Sequence, residues 1–185
     1  MLVALHILGR GTVYDDVCQM SFMSESTACG IFHRFCECFA QELYHRHVQL
    51  PTGAAQQKAM YEYDQLGCSG AIGSTDVRQI KWNSNPFSEA NAYTGKEGYP
   101  TIAYQVTVDR TGRALGVTRG FAGAQSDKTI IRYDLAVQKI RNDHQYTEQT
   151  FKLRRADGSV LELKGNWLVL DNGYHKVRRS VPKGV

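Results

Sequence analysis

Strand-like and helix-like patterns alternate along the second two-thirds of the sequence, which predicts an α/β fold: a mixed sheet with flanking helices, preceded by a small helical element. Three observations carry this. A β-type stretch over residues 71–82 holds an acid in its middle. Two β-type stretches, Thr101–Val108 and Ala114–Val117, flank a turn containing Gly112. A continuous apolar run, Trp167-Leu168-Val169-Leu170, ends on Asp171.

Residues 1–50 read as three helices. The first is the apolar opening through Leu8, and Gly11-Thr12 breaks it before a second helix from Tyr14 to Phe22. Ser24-Glu25-Ser26-Thr27 starts the third, in which Ile31, Phe32, Phe35, Phe39 and Leu43 recur at helical steps and form an apolar stripe. The tight connection over residues 20–24 is compatible with a helix-turn-helix element, and equally with a plain helical bundle. Cys29, His33 and Cys36 fall on one helical face, so a zinc site with Cys18 or Cys38 is a rival use of this segment, against the alternative of ordinary buried cysteines.

Residues 51–69 read as a link with one helix, and residues 70–185 as the main domain. Within it, the hairpin turns at Asp109-Arg110-Thr111-Gly112-Arg113. Ser126-Asp127-Lys128-Thr129 then begins a helix that runs on through Ile130, Ile131, Leu135, Val137 and Ile140, with Asp127 as its cap. A second hairpin, residues 151–163, turns at Ala156-Asp157-Gly158-Ser159 and feeds the apolar run, which has the composition of a strand buried on both faces. Trp82 and Trp167 are assigned to the core.

Composition narrows the classes. With 185 residues, 42% of them hydrophobic, the chain can bury one main core but not two full-sized ones. No apolar run reaches the roughly 18 residues that span a bilayer, and five cysteines, four crowded between positions 18 and 38, suit a reducing compartment better than a disulfide framework. The net charge of +4 is unevenly spread. Residues 1–127 carry 10 Lys/Arg against 12 Asp/Glu, and residues 128–185 carry 12 against 6, so a polyanion partner would meet the C-terminal part.

Chemistry concentrates on the two acids. A carboxylate inside a strand-rich core is costly unless it is paired or holds a cation. Two of them on neighbouring strands become useful with a pair of Mg²⁺ or Mn²⁺ ions about 3.5–4 Å apart, an arrangement suited to phosphodiester cleavage. Asp76 lies between Ile72 and Ile80 with no turn residue close after it. Asp171 precedes Asn172-Gly173, and by itself such an Asp is more often a turn residue or a helix cap.

Four ordered segments decide between those readings. Gly70-Ala71-Ile72-Gly73-Ser74-Thr75-Asp76 with Ile80-Lys81-Trp82 resembles the first-aspartate motif of PIF/Harbinger transposases, including plant transposon proteins and the Harbinger-derived nuclease. Residues 93–101 (YTGKEGYPT), residues 120–129 (GFAGAQSDKT) and Leu170-Asp171-Asn172-Gly173-Tyr174-His175 are similar to later segments of that family. The resemblance implies a ribonuclease-H-like fold and a DDE-type DNA endonuclease that cuts transposon terminal repeats with two divalent cations, Mg²⁺ or Mn²⁺, on Asp76 and Asp171. It also implies a helix-turn-helix element before residue 50, a nuclear location and a Myb-like partner protein.

Two departures qualify the activity. The family's third acid lies on a helix several tens of residues past the second aspartate, beyond the last residue here, so a C-terminally truncated and weak or inactive nuclease is expected. Gln79 stands where the family often has a His that positions a phosphate or a water. A catalytically dead DNA- or protein-binding module is the alternative. Lys81, Lys96, Arg119, Lys128, His175, Lys176, Arg178 and Arg179 are the candidate phosphate contacts, being cations near the motif segments.

Overall fold

The computed structural model describes residues 2–171. The chain divides into two compact units between Val48 and Gln49.

In the first unit, α1 (Leu2–Arg10), α2 (Tyr14–Ser21) and α3 (Glu25–Cys38) pack around Val3, Val17 and Ala28, with Ile7, Cys18, Met23 and Ile31 against them. Gly11 leaves α1 with φ +64, a conformation that costs glycine little. Phe22 ends α2 at φ 55, where a side chain costs about 1–2 kcal/mol. Ser24 caps α3 by accepting from the Thr27 N–H at 3.3 Å. A π-turn over Phe39–Leu43 then shifts the helical phase into α4 (Tyr44–His47). The predicted stripe buries less than its pattern suggests: Ile31, Phe32, Phe35 and Leu43 are half-buried and Phe39 is exposed. Zinc is not supported, because among the described residues no group of three or more His, Cys, Asp or Glu side chains could hold a metal.

The second unit begins with α5 (Gly53–Asp64), which lies against β1 (Ala71–Lys81). Residues 51–69 therefore contribute a packed helix to this unit. Gln56, 1% exposed, donates to Asn166 Oδ1 at 2.7 Å and to the Gln145 carbonyl at 3.1 Å, and Asn166 Nδ2 donates to the Gly70 carbonyl at 3.0 Å. A buried amide network thus ties this helix to the start of β1. The Tyr63 and Ser74 hydroxyls meet at 2.9 Å.

A short α6 (Ala90–Tyr93) leads to β2 (Thr101–Val108), which pairs antiparallel with β1 from Ser74↔Val108 to Lys81↔Thr101. The predicted hairpin forms: β3 (Ala114–Val117) pairs with β2, and the Asp109 carboxylate closes the turn by accepting from the Thr111 and Arg113 N–H groups at 2.8 and 3.0 Å. The chain then extends along β2 to a two-residue β4 (Phe121–Ala122).

The predicted single helix after Ser126 is two. Ser126 is the N-cap residue of α7 (Asp127–Ile130), and Asp127 pairs with Lys96 at 3.8 Å instead of capping. Asp134 then breaks the helical path and caps α8 (Leu135–Asn142), accepting from Ala136 N at 2.7 Å and Val137 N at 3.3 Å. After α9 (His144–Thr147) comes a separate hairpin, β5 (Thr150–Arg154) with β6 (Val160–Lys164), whose Phe151 ring covers Gly70 closely enough to leave no space for a Cβ there.

β7 (Trp167–Val169) completes a mixed sheet ordered β3-β2-β1-β7, running parallel to β1. The apolar run is not buried on both faces. Leu168 is buried, but Trp167 is 39% exposed, β7 being the outermost strand beside β1 among the described residues, and its indole N–H donates to the Ser69 carbonyl at 2.9 Å. The core gathers Leu50, Ala59, Ile72, Leu115, Ile131, Val137, Ile140, Tyr146 and Leu168.

Candidate active site

Side chains alternate along a strand, so β1 sorts its residues onto two faces after Gly73. Thr75, Val77 and Gln79 share one face with Thr101, Ala103, Gln105 and Thr107 of β2. That face is closed, since Val77 and Ala103 pack with Phe121 and Ile130, and Gly116, opposite Thr107, lies against Ala136 of α8. Ser74, Asp76, Arg78 and Ile80 share the other face, and the last three are exposed.

Asp76 is therefore not a buried carboxylate, contrary to expectation. Of the apolar residues around it in sequence, Ile72 lies in the bulge between Ala71 and Ser74, Val77 is on the opposite face, and Ile80 shares the Asp76 face but is itself exposed. Its carboxylate makes no hydrogen bond or ion pair among the described residues, and it borders a shallow depression of about 280 Å³ with Ser74, Thr75, Val77, Arg78, Val106 and Val108.

The position of Asp171 follows from strand register. Ser74 pairs with Val169 in the parallel ladder. Asp76 lies two residues beyond Ser74, and Asp171 lies two residues beyond Val169, at an exposed position just past the end of β7. Each acid thus follows the Ser74↔Val169 pair by two residues, Asp76 within β1 and Asp171 after the last residue of β7.

Behind Asp76 the closed face carries a polar ladder with no motif signal in the sequence. Gln105 Nε2 and Thr107 Oγ1 both donate to Thr75 Oγ1, at 2.6 and 2.9 Å, and Thr75 donates onward to the Val106 carbonyl at 3.1 Å. Gln79 belongs to this face as well, accepting from Thr101 Oγ1 at 2.7 Å. Position 79 therefore points away from Asp76, so the His-to-Gln departure does not open a gap beside that carboxylate. Arg78 does share the Asp76 face, as counting in twos from Asp76 would have revealed.

The candidate phosphate contacts are dispersed. Lys81 stands over the Tyr99 ring at 5.3 Å and Arg119 over the Phe121 ring at 5.5 Å, Lys96 pairs with Asp127, and Lys128 is half-buried in α7. None of these four borders the depression at Asp76. His175, Lys176, Arg178 and Arg179 lie outside the described residues.

Two motif-like segments interlock. Gly123 N donates to the Thr101 carbonyl at 2.9 Å, and a Cβ at Gly95 would stand 2.4 Å from the Gly123 carbonyl oxygen. With Lys96 bridging to Asp127, residues 93–101 and 120–129 form one packed corner at the β2 end.

The family model of the DDE superfamily endonucleases matches residues 73–183. The chain belongs to that family, a group of transposase-type nucleases whose substrate is DNA and whose chemistry typically uses divalent metals. No curated protein and no solved structure matches it. Among the described residues, no helix is long and apolar enough to cross a membrane. Asp76 and Asp171 are oxygen donors of the kind that Mg²⁺ and Mn²⁺ take.

Proposed function

We propose that this chain is the nuclease region of a PIF/Harbinger-type transposase: a ribonuclease-H-like domain over residues 70–185 that nicks DNA at transposon ends, preceded by a helix-turn-helix element within residues 1–50. The observation that supports the reading is the parallel Ser74↔Val169 pair, which Asp76 and Asp171 each follow by two residues. The strand order supports it further, with an antiparallel β1-β2-β3 meander and a parallel strand added beside β1 after a helical excursion.

In this reading Asp76 and Asp171 hold the divalent ions, and both being exposed lets a duplex approach them. When bound, such ions supply positive charge at the attacking and leaving oxygens of phosphodiester hydrolysis. The Thr75–Gln105–Thr107 ladder fixes the β1 backbone under Asp76, so its carboxylate is held by a rigid strand. Asp76 and Asp171 are two of the three carboxylates of a DDE site. The protein acts in the nucleus, with a Myb-like protein as partner.

The test is Mg²⁺- or Mn²⁺-dependent nicking of supercoiled plasmid by the purified chain, with Asp76→Asn and Asp171→Asn as controls. Nicking that disappears in both variants supports the assignment, and nicking that survives both overturns it. DNA binding with no metal-dependent nicking by the unmodified chain favours the dead binding module.

A further inference from the structure

We infer that Arg78 is a DNA-phosphate ligand beside the acidic pair, holding the strand against the Asp76 face. The inference rests on the nuclease reading above and adds a substrate-binding residue to it.

Arg78 follows Asp76 by two positions on β1, so its Cα lies about 6.6 Å further along the same face at the usual strand rise. It is exposed and borders the same depression as Asp76, which Val106 and Val108 also line. The residue opposite it on β2 is Tyr104, which offers no charge, and no carboxylate lies within ion-pair distance of its guanidinium among the described residues. Lys81, Lys96 and Arg119 by contrast are occupied by Tyr99, Asp127 and Phe121. Arg78 is thus an uncommitted cation at the edge of an acidic site meant for a polyanion.

A guanidinium suits this place for two reasons. Its fork of N–H donors bonds two oxygens of one phosphate, and it stays charged at any physiological pH. A scissile strand lying on the Asp76 face presents phosphates on either side of the bond to be cut. The one towards the Ile80 end of β1 falls within reach of a side chain at position 78. A cation there also offsets the repulsion between DNA and two carboxylates.

The test is binding of the full chain to a fluorescent duplex in EDTA, followed by anisotropy between about 50 and 200 mM salt. Arg78→Ala should weaken binding about five- to tenfold and reduce the slope of log Kobs against log salt by about 0.9, the release of one phosphate contact. Arg78→Lys should restore the slope, which a merely structural role would not do, and a thermal melt of each variant verifies folding. An Arg78→Ala protein that binds with the parental affinity and slope overturns the inference and leaves the nuclease reading intact. Weakened binding by Arg78→Ala with no Asp76-dependent nicking would uphold Arg78 as a phosphate ligand and remove the metal assignment. Failure of the unmodified chain to bind DNA would remove both.

Discussion

The Gln105 side-chain amide donates to Thr75 Oγ1 at 2.6 Å, and the Thr75 hydroxyl is fully used, with two donors aimed at its oxygen and its own hydrogen given to the Val106 carbonyl. Thr75→Val keeps the shape but leaves the Gln105 amide and the Thr107 hydroxyl, both fully buried, without that partner. The expected cost is about 1–3 kcal/mol, measured by urea unfolding. A change below about 0.5 kcal/mol would mean that the ladder does not brace β1.

Asp76 is exposed and has no partner among the described residues, so its substitution should separate activity from stability. Asp76→Asn is expected to remain within about 0.5 kcal/mol of the parent in the same unfolding measurement while losing metal-dependent nicking. Lost activity accompanied by a much lower unfolding midpoint would make Asp76 a structural residue.

Asp134 is 2% exposed, and burial raises its pKa above the ordinary carboxylate value, with the Ala136 and Val137 N–H bonds opposing that rise. A raised folded-state pKa means that the folded protein holds this proton more tightly. The contribution is therefore most favourable below the unfolded-state value near 3.8 and is lost as pH rises through the higher folded value. Asp134→Asn keeps an effective cap and removes the ionisation. Its stability should equal or exceed the parent's at pH 7, and its stability-versus-pH curve should be flatter above pH 4. A variant less stable at pH 7 by more than 1 kcal/mol would show that the charge itself favours the fold.

Gly123→Ala tests the interlocked corner. A Cβ there would stand 2.0 Å from Thr101 Oγ1 and 2.6 Å from the carbonyl oxygens of Thr101 and Tyr93, and the backbone atoms cannot rotate aside. Destabilisation of about 2 kcal/mol or more is expected from the denaturation midpoint. A near-neutral result would mean that residues 93–95 are free to move off β2.

Much of the framework was legible because it is local. The hairpin around Gly112, the turn at Asp157-Gly158 and the Ser24 cap are each specified by adjacent residues. The exposure of Asp76 was not legible. From Asp76 to Lys81 the two faces read Asp, Arg, Ile and Val, Gln, Lys, so neither is cleanly apolar, and the buried one is decided by where α7 and α8 pack. The helix break was signalled by Asp134, a residue better suited to capping than to a helix interior, although the apolar spacing continues across it. How β7 aligns with β1 depended on their register and its bulge, which no short stretch of sequence encodes.

That register also sets an order of assembly. β1 meets β2 across residues 82–100, whereas its pairing with β7 joins positions 74 and 169, a far longer closure. Loop-closure entropy therefore favours early formation of the β1-β2-β3 meander and late arrival of β7. Asp76 belongs to the part of the sheet that forms soonest and Asp171 follows the part that docks last, so a metal site built on both would be complete only in a chain that has finished folding.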